Sequence, residues 1–119
     1  MIDAIGARTD DRIFVMNVWG EGPPDKYRNA LAINGRGWPY TERITAQTGD
    51  TLRWRIVNGT IRVHPMHLHG FYFTLTARGD GKLDTILPAA QHRRLVTESI
   101  GPNGTRNSSG MASGAKVRA

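Results

Sequence analysis

The stretch TLRWRIVNG (51–59) decides the fold class, because its apolar residues alternate strictly with polar ones. Leu52, Trp54 and Ile56 fall on one face of an extended chain, and the residues between them fall on the other. A period of two residues is typical of a strand half-buried in an antiparallel sheet. Gly49-Asp50 before the stretch and Asn58-Gly59 after it favour turns. The sequence therefore predicts one half-buried antiparallel strand with a turn at each end.

The same period of two recurs outward along the chain in both directions. Six further strands are predicted, a long one over 67–80 and others over 12–19, 30–35, 41–50, 83–87 and 93–99. No segment shows the 3.6-residue period of an amphipathic helix. About seven short strands separated by turns indicate an all-β fold, either a β-sandwich or a Greek-key barrel.

The chain of 119 residues is long enough for one domain and too short for two. From Gly101 onward the sequence GPNGTRNSSGMASGAKVRA is rich in Gly, Ser and Asn and has almost no apolar periodicity. Such a composition is typical of a segment that cannot build a core. We therefore predict a folded domain over 1–105 and a disordered tail over 106–119.

Composition excludes several classes of site. The chain contains no cysteine, which excludes disulfides, thiolate zinc sites and cysteine nucleophiles within it. The net charge of +6 would suit a polyanion, but the basic residues are scattered, which favours a solvated basic surface over a nucleic-acid site. No apolar run approaches the roughly 18–20 residues that span a bilayer, so we expect no membrane segment. The start MIDAIGARTDDR lacks the pattern of a secretory signal, and the localisation stays unassigned.

Three of the four histidines lie within six residues, in HPMHLHG (64–70). On an extended backbone His67 and His69 would project from the same face, because they are two residues apart. Imidazole suits copper, zinc, nickel and iron, and a set of nitrogen ligands without thiolate favours copper or zinc. A bare pair of this kind is more often two ordinary edge histidines, so the pair alone does not establish a metal site.

The whole heptad HPMHLHG resembles the copper-ligand segment of the multicopper oxidases, laccase-like enzymes built from cupredoxin domains. The neighbouring strands resemble the same domain, namely DRIFVMNVW (11–19), INGRGWPYTERITAQTGDTLRWRIVN (33–58) and RRLVTES with GPNGT (93–105). The resemblance implies a cupredoxin-like Greek-key β-sandwich with copper as its cofactor, zinc being an alternative in the isolated chain.

The resemblance also implies a role for each histidine. His64 would be a ligand of a type 1 copper, which takes electrons from a phenol-like or metal-ion substrate. His67 and His69 would be ligands of the type 2 and type 3 coppers, where dioxygen is reduced to water. His92 matches no ligand position, and we expect it to be exposed.

The chain departs from the family pattern in one respect, because the type 1 centre of the family takes a thiolate from a later His-Cys-His segment of the same domain. We therefore expect a sandwich that lacks its last strands, leaves a sheet edge or inner face uncovered, and is inactive as an isolated oxidase. A homo-oligomer or a partner chain would supply further copper ligands. One alternative is a non-catalytic metal-binding or assembly module that uses His67 and His69, and a weaker one is a basic nucleic-acid-binding β-domain.

Overall fold

The computed structural model describes residues 12–21 and 28–111, which form two facing β-sheets. The elements of this described part follow one another as β1 (Arg12–Glu21), β2 (Arg28–Ile33), β3 (Thr51–Asn58), β4 (His64–His67), β5 (Phe73–Gly79), β6 (Asp84–Ile86), a 3₁₀ turn (Ala89–Gln91), β7 (Arg93–Leu95), β8 (Thr97–Ile100) and β9 (Thr105–Met111). The all-β prediction is confirmed. Within the described ranges no helix is long and apolar enough to cross a membrane.

The larger sheet has the strand order β2-β1-β3-β9-β5-β6, and β7 pairs with the other half of the β5 edge. The smaller sheet consists of β4 and β8, which run antiparallel. Strand β3 lies inside the larger sheet, parallel to β1 and antiparallel to β9. The predicted strand over 51–59 is therefore present, but its expected antiparallel pairing is wrong on the β1 side.

The core lies between the two sheets. Met16, Ile56 and Ile100 are buried there, with Phe14 and Trp54 packed against them. The two strands of the smaller sheet cover only part of the larger one, and an apolar cavity of about 160 Å³ opens between them. The inner surface is thus incompletely filled, in line with the expectation of a sandwich short of strands.

The predicted disordered tail over 106–119 is wrong for residues 106–111. Strand β9 contains them and pairs with β3 on one side and β5 on the other. Its polar side chains are partnered inside the fold, since Asn107 accepts a 2.8 Å hydrogen bond from Nη1 of the buried Arg55. The domain therefore extends beyond the predicted boundary at 105 to include Met111, and the remainder of the predicted tail, 112–119, lies outside the described residues.

Three other strand predictions need correction. The segment 41–50 is not a strand. It ends in a turn in which the Asp50 carboxylate accepts a hydrogen bond from the backbone N–H of Gln47. The segment 93–99 divides at Val96 into β7, in the larger sheet, and β8, in the smaller one. The segment 67–80 is interrupted between β4 and β5, which also lie in different sheets. In the last two cases the chain crosses from one sheet to the other, which a period of two residues does not reveal.

A partly buried ion pair on the outer face of the larger sheet links its edge strand β6 to the interior strand β3. Asp84 of β6 pairs with Arg55 of β3 and accepts a 2.8 Å bond from the hydroxyl of Thr105 in β9. The Arg55 guanidinium, and to a smaller extent the Thr105 hydroxyl, hold the pKa of the Asp84 carboxyl below its usual value. The pair therefore connects three strands by charge-assisted hydrogen bonds.

Candidate metal-binding site

Strand β4 presents its two histidines to opposite faces. His64 and Met66 are half-buried, whereas Pro65 and His67 are exposed. Successive side chains of a strand alternate between its faces, so residues three apart point in opposite directions. His64 accordingly faces the space between the sheets, and His67 faces outward.

The chain leaves the extended conformation directly after His67. Gly70 has a φ of 99°, in the left-handed region that favours glycine, and the buried Phe71 then anchors the start of β5. Within this turn His69 folds back towards His67, with ring centroids 4.7 Å apart and ring planes at 88°. The two imidazoles are neighbours, as their spacing predicts, but a turn brings them together rather than a continuous strand.

An open cleft of about 780 Å³ surrounds this pair at one end of the sandwich. Its walls include both imidazoles together with Phe71, Tyr72, Arg94 and Met111. The Arg94 guanidinium stacks over the Tyr72 ring, 4.9 Å from the ring centroid. None of the described residues that line the cleft carries a carboxylate, so the metal donors there are imidazole nitrogens, hydroxyl oxygens and the thioether of Met111.

Each imidazole of β4 has a threonine hydroxyl as its neighbour. Nδ1 of His67 lies 2.7 Å from Oγ1 of Thr97, its partner in β8. Nε2 of His64 lies 2.9 Å from Oγ1 of Thr60. A ring nitrogen that donates to such a hydroxyl fixes the orientation of the ring and leaves the lone pair of the other nitrogen for a ligand, as metal-binding histidines do with their own acceptors.

His64 lines a second, smaller cavity of about 300 Å³. Met16, Trp38, Thr60 and Met66 line the same cavity. The surroundings of His64 are therefore mainly apolar and sulfur-containing, in contrast to the open cleft around His67 and His69.

The three predicted ligands do not converge on one point. Across the described residues, no group of three or more His, Cys, Asp or Glu side chains is close enough to hold a metal ion. The structure brings His67 and His69 together and keeps His64 apart. His92 is exposed at a separate position, where its Nε2 contacts the carbonyl of Leu87 at 2.8 Å.

Sequence reasoning missed the residues that hold the imidazoles. Asn58 belongs to the predicted turn after 51–59, Thr60 has no predicted role, and Thr97 lies in the predicted strand over 93–99. Nothing in their spacing points to His64 or His67, because the contacts depend on how the loop after β3 closes and on how β8 pairs with β4.

Comparison with known proteins gives a match to one family model and to several solved structures. A family model described as multicopper oxidase matches residues 9–107. None of the curated proteins compared with the chain matches it.

Three similar solved structures are a blue copper oxidase from Nitrosomonas europaea, a multicopper oxidase named mgLAC, and a multicopper oxidase from Campylobacter jejuni described as a metallo-oxidase. The first has a TM-score of 0.70 at 21% identity, over 95% of this chain and 36% of its own. The second has a TM-score of 0.71 at 21% identity, over 88% and 34%. The third has a TM-score of 0.68 at 14% identity, over 95% and 26%. The chain thus spans about a third of the length of the solved proteins that it matches.

Proposed function

Because this chain belongs to the multicopper oxidase family, we propose that it is a copper-binding cupredoxin-like domain that works as part of a larger assembly. Its ligands are His64, His67 and His69. The observation that supports this most strongly is the contact between His67 and His69, whose ring centroids lie 4.7 Å apart in an open cleft.

The imidazoles of His67 and His69 are suitable copper ligands, but two ligands are too few for a complete copper site. Imidazole nitrogen is a good ligand for copper. Thr97 occupies Nδ1 of His67 at 2.7 Å, which leaves Nε2 for a metal ion. Two imidazoles do not complete a copper site, and no third His, Cys, Asp or Glu side chain of the described residues joins them. We infer that a partner chain, or a second copy of this one, supplies the remaining ligands across the open cleft.

Copper at these positions would supply one-electron transfer and dioxygen reduction, with a phenol-like or metal-ion substrate as the electron source. This chain's own contribution is the placement of the ligands. Only Pro65 and Met66 separate His64 from His67, and the two imidazoles face opposite sides of one strand. A donor on each face would connect two metal centres by a short covalent path.

The chain contains no cysteine, so it cannot supply the thiolate of a blue copper centre. We expect the purified chain to bind copper and to remain colourless. An intense blue absorption on adding copper to the pure chain would contradict this expectation.

The test is a calorimetric titration of the purified chain with Cu(II). The wild type should bind copper, and the double variant His67→Ala/His69→Ala should lose affinity by more than about a hundredfold. Removing even the partners of metal ligands changes affinity by about ten- to a hundredfold, and removing ligands themselves should cost at least as much. His92→Ala is the matched control, since His92 is an exposed histidine away from the cleft, and its affinity should equal that of the wild type.

Unchanged copper binding in the double variant would refute the assignment of His67 and His69. Repeating the titration with Zn(II) tests the alternative that the isolated chain prefers zinc.

A second candidate function is a non-catalytic assembly module in which the same pair holds one metal ion between subunits. The exposure of both rings in an open cleft favours it, because a second pair could approach from another chain. The first candidate places copper in a larger assembly whose other parts complete the site, whereas the second places one metal ion between two copies of the pair.

A further inference from the structure

The imidazole of His64 is held by a hydrogen-bond network that determines which of its nitrogens carries the proton. The contact itself, 2.9 Å between Nε2 of His64 and Oγ1 of Thr60, is compatible with either direction of donation. The direction follows from the other bonds of the Thr60 hydroxyl and from the orientation of Asn58.

The orientation of the Asn58 amide is fixed by three carbonyl groups. Its Nδ2 lies 2.7 Å from the carbonyl oxygen of Arg62, 2.9 Å from that of Ile100 and 3.0 Å from that of Gly101. Exchanging the amide nitrogen and oxygen would place an acceptor against three acceptors in a fully buried position. Oδ1 therefore faces Thr60, where it accepts a 3.0 Å bond from the backbone N–H.

The hydroxyl proton of Thr60 is consequently engaged elsewhere. Its oxygen lies 2.8 Å from Oδ1 of Asn58, and an amide oxygen has no proton to give, so the hydroxyl must donate. The neighbouring carbonyl of Arg62, at 3.2 Å, is also an acceptor. The hydroxyl has one proton, so towards His64 it can only accept. The His64 ring therefore carries its proton on Nε2, and Nδ1 has the free lone pair.

This ring lines the cavity of about 300 Å³ together with the thioethers of Met16 and Met66. Met66 is two residues from His64 on the inward face of β4, and Met16 is a buried member of the core cluster that Met66 packs against. Core packing accounts for the burial of both methionines, but it does not account for an imidazole with a preset lone pair in the same cavity. Thioether sulfur and imidazole nitrogen together select soft ions such as Cu(I).

We propose that Nδ1 of His64 and the thioethers of Met16 and Met66 form a site for a soft monovalent ion such as Cu(I). Asn58 and Thr60 act as positioning residues that hold the imidazole in the tautomer this site uses. The inference rests on the proposed function in taking His64 as a copper ligand, and it adds the oxidation state, the sulfur donors and the donor nitrogen. It does not involve His67 or His69.

The tautomer is measured first, on the metal-free protein. Long-range ¹H–¹⁵N spectra, at a pH where the imidazoles are neutral, distinguish the two tautomers for each histidine. We expect His64 to be protonated on Nε2 in the wild type, to become a mixture of tautomers in Thr60→Val, and to return to the Nε2 form in Thr60→Ser. A His64 ring protonated on Nδ1 in the wild type would overturn the proposal.

The ion is tested with Ag(I), a redox-inert probe with the ligand preferences of Cu(I), and methyl-¹³C methionine. The methyl signals of Met16 and Met66 should shift with saturation at one equivalent. Thr60→Val should weaken binding about tenfold or more, as expected for a residue that positions a ligand. Met66→Leu, which preserves the volume, should weaken it further. Met111 is the internal control, because it lines the cleft of His67 and His69 instead.

A shift at Met111 without shifts at Met16 and Met66 would place the ion in the other cleft and overturn the proposal. Because the Cu(II) titration reports on His67 and His69 and this one on the two methionines, either proposal can fail without the other. If Thr60→Val does not fold, the wild-type tautomer and titration still decide the outcome.

Discussion

The two ends of strand β4 differ in how firmly they hold a histidine. His64 is half-buried, and its ring contacts the Thr60 hydroxyl. That hydroxyl is fixed by Asn58, whose Nδ2 donates to backbone carbonyls and whose Oδ1 accepts from Thr60. His67 and His69 are exposed, and the contact of His67 with the Thr97 hydroxyl leaves the direction of donation open. Segment 64–69 thus presents one imidazole of fixed orientation, His64, on one face of β4. On the other face it presents two imidazoles, His67 and His69, whose orientations are less constrained. A partner that completes a metal site has more freedom to reshape the second end than the first.

The largest effect is expected at Asn58, which is fully buried. Asn58→Leu should lower the free energy of unfolding by about 3 kcal/mol or more, because it leaves three carbonyls and the Thr60 groups without their partner, and each unsatisfied buried group costs about 1–3 kcal/mol. Urea denaturation measures the change. His67→Ala, at the exposed end of the strand, should change it by about 0.5 kcal/mol or less. Equal losses in the two variants would remove the distinction between the ends.

A smaller effect is expected at the Arg55–Asp84 pair, which lies on the outer face of the sheet. Asp84→Asn should lower the free energy of unfolding at neutral pH by about 1.5–3 kcal/mol, the range for a hydrogen bond to a charged group. Thr105→Val, which removes one neutral donor to the same carboxylate, should cost less. The tautomer of His64 should be the same in both variants, which would show that it reports local contacts rather than overall stability.

The same pair predicts an acid dependence. Since the pKa of Asp84 is lower in the folded protein than in the unfolded chain, its contribution is complete above the unfolded carboxyl pKa of about 3.9. The contribution is lost as the pH falls through the lower folded value. Urea denaturation from pH 7 down to pH 2 should therefore show a steeper acid loss for the wild type than for Asp84→Asn. Parallel curves would contradict the assignment.

The smallest effect is expected at Thr97. Thr97→Val removes the hydroxyl that contacts Nδ1 of His67 in an exposed position, so the free energy of unfolding should change by about 0.5 kcal/mol or less. Cu(II) affinity should fall by less than the loss of His67 and His69 produces, and calorimetry measures both. A Thr97→Val variant as unstable as Asn58→Leu would mean that the outer end is as firmly built as the inner one.

Alternation and turn residues are sufficient to predict the strands around 12–19 and 51–58 and the all-β class. The same signals fail at β9, whose residues read as a polar tail. This strand is paired on both sides, and its Asn107 side chain bonds Arg55 instead of contributing to an apolar face. A Cβ on Gly110 would lie 2.9 Å from the Phe71 ring. Packing therefore requires glycine at this position, although glycine is also typical of a disordered tail.

The candidate site is predictable to a different extent. The motif identifies His64, His67 and His69, because the types and spacing of the residues are local information. The break after His67 depends on the chain leaving one sheet for the other, and the role of Thr60 depends on the carbonyls that orient Asn58 from forty residues away. Such long-range contacts leave no pattern in the sequence.

We propose above all that the exposed pair of His67 and His69 binds copper and that a partner or a second copy of the chain completes the site. Native mass spectrometry after adding one equivalent of Cu(II) tests it most directly, because it gives the metal content and the oligomer in one spectrum. We predict copper bound stoichiometrically in a defined oligomer for the wild type and for His92→Ala, and its loss in His67→Ala/His69→Ala. A metal-free monomer in the wild type, or copper retained by the double variant, would contradict the account.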